Sequence, residues 1–331
     1  MRRVLWCLRK RSHTSPPSRR WAGPGIGFIA LIGAFWLIAR HFGVAERLGN
    51  PLTAIAGFSL LLAPYWFFGF GWVPQFRSRP LRLLAPLGLL ASWLVFVLPR
   101  GEFRWDQLTG MAAVILVVTL LLELAGQSPP GWHDWLALAI LGGAVEFRFF
   151  DQAWPIAGLT GLAKLLFVDV GLYGYLSIRP IGGIGFDLRA RLKDLEIGLR
   201  EFCLYTPIAL ALGFALNFLH FHKTLGSLGG FVAGWLFTLF FVALPEELFF
   251  RGLMLNMLER RIGKNGALIL SSLIFGLAHF NKRAAYFNWR YVILAAFAGL
   301  FYGRAWLAQR RLAASAITHA TVDTVWSTWL R

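Results

Sequence analysis

The sequence is poor in cysteine and in charge. Its only two cysteines, Cys7 and Cys203, provide neither a disulfide framework nor a cysteine-ligated metal site. Charged residues make up 15% of the 331 positions, and the acids number 16 against 33 Lys and Arg. Soluble globular domains carry about 25% charged residues. The scarcity of charge therefore excludes an ordinary soluble domain.

Apolar sequence takes the place of charge. Hydrophobic residues account for 57% of the chain, Phe alone occurs 30 times, and the mean hydropathy is +0.59. The apolar runs recur near the roughly 20 residues that a helix needs to cross a bilayer. We predict an all-α, polytopic transmembrane helical bundle with about eleven spans, within a range of about nine to eleven. The predicted spans are 25–39, 52–73, 83–98, 108–122, 132–145, 154–178, 203–219, 229–244, 266–280, 291–307 and 312–330.

Membrane topology explains the basic excess. A formal net charge of +17 would suggest a nucleic-acid partner in a soluble protein. With the N-terminus inside and alternating spans, the inside loops carry 22 Lys and Arg and the outside loops carry 10. The positive-inside rule describes this asymmetry. We therefore predict a multi-pass protein with a cytoplasmic N-terminus in the cytoplasmic membrane of a prokaryote, in contact with lipid and without a nucleic-acid partner.

The chain divides into two regions by its polar residues. Residues 1–21 hold seven basic residues and no acid, which predicts a cytoplasmic tail next to anionic lipid. The spans up to residue 180 carry few polar groups, whereas the chemically suggestive ones follow the basic loop 179–200. We therefore assign residues 1–180 to an N-terminal basic tail and membrane extension, and residues 181–331 to a catalytic membrane core.

The stretch 245–251, Pro-Glu-Glu-Leu-Phe-Phe-Arg, is the first candidate site. It ends an apolar run, where an ionised group costs at least about 2.5–3.5 kcal/mol. Glu247 and Arg251 are four residues apart, in the order that favours an ion pair on a helix. Glu246 points about 100° away and has no partner nearby in sequence. The pattern predicts one neutralised carboxylate and one free carboxylate, and the alternative is a purely structural salt bridge at a helix end.

Histidines and an aspartate follow at depths that match. The polar turn 259–266 lies midway between Glu246 and His279. A helical hairpin bent there places both residues about 20 Å from the turn, at the same depth. His319 and Asp323, one helical turn apart, lie about 12–18 Å beyond the next turn of the chain. We therefore expect three helices to bring these four polar side chains to one site.

The three motifs, in this order, resemble those of the CPBP family of intramembrane proteases, which groups CAAX proteases with bacteriocin-processing (ABI) proteins. The resemblance covers roughly residues 195–331, and residues 1–180 resemble nothing that we identify. Several members of that family have Asn where this chain has Asp323, so the role of this position stays open. The motifs are Glu246-Glu247-x-x-x-Arg251, Phe275-x-x-x-His279 and His319-x-x-x-Asp323.

The resemblance implies an intramembrane endopeptidase that hydrolyses a peptide bond of a membrane-associated substrate in a cytoplasm-facing cavity. It assigns Glu246 as the general base that activates water and His279 as a residue that holds this water. It assigns His319 and Asp323 to stabilisation of the transition state. The remaining motif residues would support the site structurally; they are Glu247, Arg251 and Phe275.

Three alternatives stay open. Glu246, His279 and His319, with Asp323 as a fourth ligand, could instead hold Zn²⁺ with an activated water, so the cofactor is either none or zinc. A non-catalytic membrane scaffold or immunity protein would use the same residues as a buried polar network. A transporter is a further alternative, motivated by isolated charges such as Lys164 within spans, although such side chains commonly serve the helix interior or snorkel. The sequence does not identify the substrate or whether it is prenylated.

Overall fold

The computed structural model describes residues 22–41, 43–154, 161–221, 227–282 and 286–330. It is 79% helical and has no β-strand among these residues, which confirms the prediction of an all-α protein. The basic tail predicted for residues 1–21 and part of the predicted span 154–178 lie outside the described residues.

The described residues form α-helices joined by short 3₁₀ and π-helical turns. The π-helical turns are Gly174–Ile178, which follows α7, Leu239–Ala243 between α9 and α10, and Leu248–Leu255 between α10 and α11. The α-helices are α1 (Ala22–His41), α2 (Pro51–Gly69), α3 (Arg79–Leu84), α4 (Leu90–Val97), α5 (Trp105–Ala125), α6 (Trp132–Glu146), α7 (Leu162–Tyr173), α8 (Leu192–Ala215), α9 (Leu228–Thr238), α10 (Leu244–Glu247), α11 (Asn256–Leu277), α12 (Trp289–Gln309) and α13 (Leu312–Trp329).

Seven described segments are long and apolar enough to cross a bilayer, which makes the chain an integral membrane protein. The longest has 50 residues and bends at Gly263, whose φ of 73° and ψ of 170° are not helical. Helices α6, α7 and α13 are not in this set, so the predicted number of spans stays a prediction. The seven segments are Gly23–Arg40, Pro51–Gly69, Arg79–Arg100, Trp105–Ala125, Leu192–Ala215, Leu228–Leu277 and Trp289–Gln309.

Hydrogen bonds between connections define one end of the bundle, which we call the basic end. Its centre is the loop 179–191, which bonds to the chain at residues 69, 126, 256 and 312. Arg261 reaches across this end to the carbonyl of Pro130. Helices α6 and α11 rise from the basic end, so the segments that follow them, 147–154 and 278–282, lie at the opposite end, which we call the cavity end.

Small residues let the core helices approach closely. Helix α11 packs along α12, and α8 packs against both α12 and α13. A Cβ atom added to Gly276 would lie 2.6 Å from the carbonyl oxygen of Val292, far inside contact distance. Close helix–helix approach at glycine is typical of membrane bundles. It brings the C-terminal part of α11 next to α12 and α13, which carry the remaining motif residues.

Candidate active site

Glu246 and Glu247 lie in the short helix α10, between two π-helical turns. Pro245, just before them, has no N–H to donate to the preceding turn. The predicted span 229–244 does not end at this proline, because the π-helical turns carry the helix through it to α11. Such turns are rare and often occur at functional sites. The two carboxylates point in different directions, and each has its own partners.

Glu247 is completely buried and binds three side chains. One carboxylate oxygen, Oε2, lies 3.2 Å from Nε of Arg251, which is the ion pair that the spacing predicts. The other, Oε1, accepts a hydrogen bond of 2.8 Å from Nδ1 of His319. The hydroxyl of Ser315 also donates to Oε2. A single carboxylate thus joins its own helix to two positions on α13.

Arg251, also completely buried, extends this network to α12. Its Nη2 donates to the carbonyl of Gly299 at 3.0 Å. Its guanidinium carbon lies 4.5 Å from the centre of the Phe275 ring, within the range of a cation–π contact. A Cβ on Gly299 would lie 3.2 Å from Nη2, so glycine at this position allows the close approach. Arg251 is therefore held from three sides.

His319 has a fixed ring orientation. The imidazole stacks on the ring of Tyr302 with centroids 4.6 Å apart and planes 16° apart. Because Nδ1 is bound to Glu247, Nε2 points the other way, 3.9 Å from Oε2 of Glu246 and 3.5 Å from Oδ2 of Asp323. The structure therefore places three of the four predicted catalytic residues around one imidazole nitrogen.

His279 lies just after the end of α11 and is also buried. Its Nδ1 donates to the carbonyl of Phe275 at 2.8 Å, within the same helical turn. The Phe275 ring packs against His279 with centroids 4.8 Å apart, and Tyr291 packs against another side at the same distance. Nε2 is then the nitrogen of His279 that can bind water or substrate.

Glu246 has an ionic partner, so the prediction of a free carboxylate is wrong. Nζ of Lys164 lies 2.8 Å from Oε1 of Glu246. Lys164 belongs to α7 in the N-terminal region, 82 residues before Glu246. Spacing along one helix cannot reveal such a partner, because the two residues meet only when α7 packs against the core.

Two cavities meet at His279. The larger, of about 600 Å³, is bordered by α6, α7, α10 and α11, and Lys164, Glu246 and His279 line it. The smaller, of about 90 Å³, lies between α8, α11, α12 and α13, and His279, His319 and Asp323 line it. All four predicted catalytic residues therefore border connected walls of one site.

The larger cavity reaches the cavity end of the bundle. Exposed residues there, Phe147, Arg148 and Asn281, form part of its lining. The family resemblance implies a cavity that faces the cytoplasm, whereas the loop charges place the basic end in the cytoplasm. Since the cavity end is opposite to the basic end, these two predictions exclude each other.

The donors in the site do not fit a zinc centre. Within the described residues, no group of three or more His, Cys, Asp and Glu side chains is arranged to hold a metal ion. At the candidate site, the ammonium group of Lys164 contacts Oε1 of Glu246, and its positive charge would oppose a bound Zn²⁺. The arrangement instead favours chemistry that the side chains perform themselves.

The family comparison agrees with the motifs. Residues 228–325 match the family model of the Rce1-like type II CAAX prenyl endopeptidases. The resemblance to the CPBP and CAAX proteases is thereby confirmed for this segment. The match indicates a membrane peptidase, contains all the motif residues, and does not include Lys164. Among curated proteins and among solved structures, nothing matches the chain.

Several contact residues were not predicted from the sequence. Ser315 lies four residues before His319 and therefore on the same face of α13, a spacing that could have indicated its bond to Glu247. Tyr302 and Gly299 carry no such signal, because their contacts depend on how α12 packs. Lys164 stood out as a charge within a span, but its partner was hidden.

Proposed function

We propose that the protein is an intramembrane endopeptidase that hydrolyses a peptide bond of a membrane-associated protein or peptide without a metal. The observation that supports this most strongly is the contrast between the two adjacent glutamates. Glu247 uses both carboxylate oxygens in buried structural contacts. Glu246 instead lines a cavity large enough for part of a peptide, with Oε2 directed toward His319.

In the proposed reaction, Glu246 removes a proton from a water molecule that Nε2 of His279 helps to hold. The hydroxide attacks the carbonyl carbon of the scissile peptide bond, and the carbonyl oxygen becomes an oxyanion. When the C–N bond breaks, Glu246 returns the proton to the departing amine nitrogen. A carboxylate in this role contributes about 10²–10⁴-fold to the rate.

His319 is proposed to donate to the oxyanion through Nε2. Since Nδ1 donates to Glu247, Nε2 can donate as well only in the imidazolium form. The carboxylates of Glu246, Glu247 and Asp323, all in contact with this ring, balance that positive charge. Asp323 acts in this proposal through its contact with His319, because an ionised carboxylate cannot donate to an oxyanion.

The proposal is tested with purified protein in lipid nanodiscs. The probes are a quenched peptide that ends in a CAAX sequence, with and without a farnesyl group, and a library of synthetic peptides read by mass spectrometry. We expect Glu246→Gln to lower kcat by about 10²–10⁴-fold with a normal yield in membranes. The matched control is Glu196→Gln, because Glu196 is exposed on α8 and pairs only with Lys193.

Two results would contradict the proposal. Wild-type turnover by Glu246→Gln would remove Glu246 from the reaction. Failure of the wild-type protein to cleave any of these peptides would instead support the scaffold alternative.

A further inference from the structure

The ion pair between Lys164 and Glu246 joins the two regions of the chain at the candidate active site. The side chain of Lys164 is 22% exposed and that of Glu246 is 15% exposed, so solvent screens this pair only weakly. Both residues line the larger cavity. Lys164 is outside the segment that matches the peptidase family, which ends at residue 325 and begins at residue 228.

The pair gives the two oxygens of Glu246 different surroundings. Oε1 accepts from Nζ of Lys164 at 2.8 Å, and this contact restricts rotation of the carboxylate. Oε2 is then turned toward His319, 3.9 Å from Nε2. A buried carboxylate needs such a partner, because an unpaired charge in a poorly solvated site is costly.

We propose that Lys164 is a positioning residue for Glu246, so that α7 of the N-terminal region completes the active site. It orients Oε2 toward the water and the substrate, and it touches neither the reacting atoms nor His319. This inference rests on the proposed function of Glu246. It predicts that residues 181–331 need the N-terminal region for turnover as well as for folding.

The test compares variants of the full-length protein in nanodiscs. We expect Lys164→Met to lower kcat for the cleaved peptide by about 10–100-fold with little change in KM, since geometry at the base is lost but the peptide contacts are not. Lys164→Arg keeps the charge and is expected to recover most of the activity. Lys193→Met is the matched control, because Lys193 is exposed on α8 and distant in the fold from the cavity end.

A stability measurement tests the pair without any activity. The apparent melting temperature is compared for Lys164→Met, Glu246→Gln and the double variant. We expect the two effects to be non-additive, since each single change removes the same interaction. Additive effects, or wild-type kcat in Lys164→Met, would overturn the assignment of Lys164. A wild-type protein that cleaves no peptide while the pair is still coupled would reject the proposed function alone.

A second inference follows from the position of the cavity relative to the loop charges. Lys and Arg are concentrated in the basic end and in residues 1–21, whereas the larger cavity reaches the loops of the cavity end. The positive-inside rule assigns the more basic side to the cytoplasm. We infer that the cavity opens on the non-cytoplasmic side, and that its substrates are membrane-anchored segments exposed on that side.

Single-cysteine labelling in intact cells tests this orientation independently of turnover. Cys7→Ser and Cys203→Ser provide the background, to which Arg148→Cys at the cavity end or Lys193→Cys at the basic end is added. With a membrane-impermeant maleimide, we expect R148C to be labelled in intact cells and K193C only after permeabilisation. The reverse pattern would place the cavity in the cytoplasm and overturn the inference.

Discussion

The N-terminal region and the core both bury an ion pair between an acid and an arginine, but at different depths. In the N-terminal region, Asp134 and Arg179 pair at 3.0 Å, and both lie at the basic end. In the core, Glu247 and Arg251 pair at 3.2 Å between π-helical turns in the middle of a long helical segment. The first pair joins two connections near the membrane surface. The second holds His319 deep in the bundle, where burial of charge is most costly.

This comparison separates structural charge from site-building charge. Near a helix end, snorkelling and water reduce the cost of charge, so an ion pair there needs no further explanation. Deep in the bundle, the Glu247 network fixes an imidazole, and Lys164 fixes the carboxylate of Glu246. The charge of Lys164 is therefore the feature of the N-terminal region that resembles the core.

Glu247→Gln should break the comparison most strongly. It leaves Arg251 buried without a counter-charge and weakens the bond that orients His319. We expect a loss of stability of about 3–5 kcal/mol, which is typical when one member of a buried pair is removed. The measurement is the apparent melting temperature in detergent together with the yield from membranes. A variant that melts like the wild type would show that the network is not structural.

Asp134→Asn should lower stability less and leave the chemistry unchanged. It removes the charge that pairs with Arg179 but keeps an oxygen that can accept from the N–H of Gly131. We expect a loss of about 1.5–3 kcal/mol, the range for hydrogen bonds to charged groups. The kcat of the folded protein should match that of the wild type. A large fall in kcat would mean that the two pairs do not differ in the way that we describe.

Asp323→Asn should have the smallest effect and distinguishes the two mechanisms. In the metal-free mechanism, the amide keeps the size of Asp323 and can itself donate to an oxyanion, so turnover should stay within about tenfold of the wild type. Activity should also be insensitive to chelators. The zinc alternative would be supported by the opposite result, in which added zinc restores lost activity and the purified wild type contains stoichiometric metal.

The sequence by itself determined the features that depend on local spacing. Apolar runs of membrane length predict the helical bundle, since backbone groups in lipid must be satisfied within each helix. The four-residue separation of Glu247 and Arg251 predicts their ion pair, because that spacing places both on one face. Depth counting from the turns likewise brings Glu246, His279 and His319 to one level, where the structure places them.

Only the tertiary structure decided which partners those residues have. Lys164 meets Glu246 across 82 residues, and Tyr302 stacks on His319 from another helix. The nitrogen that His319 directs toward Glu246 follows from the position of Glu247, and no sequence spacing encodes that orientation. The end at which the larger cavity opens also depends on how α6 and α7 pack against the core. Such contacts arise from the packing of distant helices, whereas helical periodicity relates only residues within one helix.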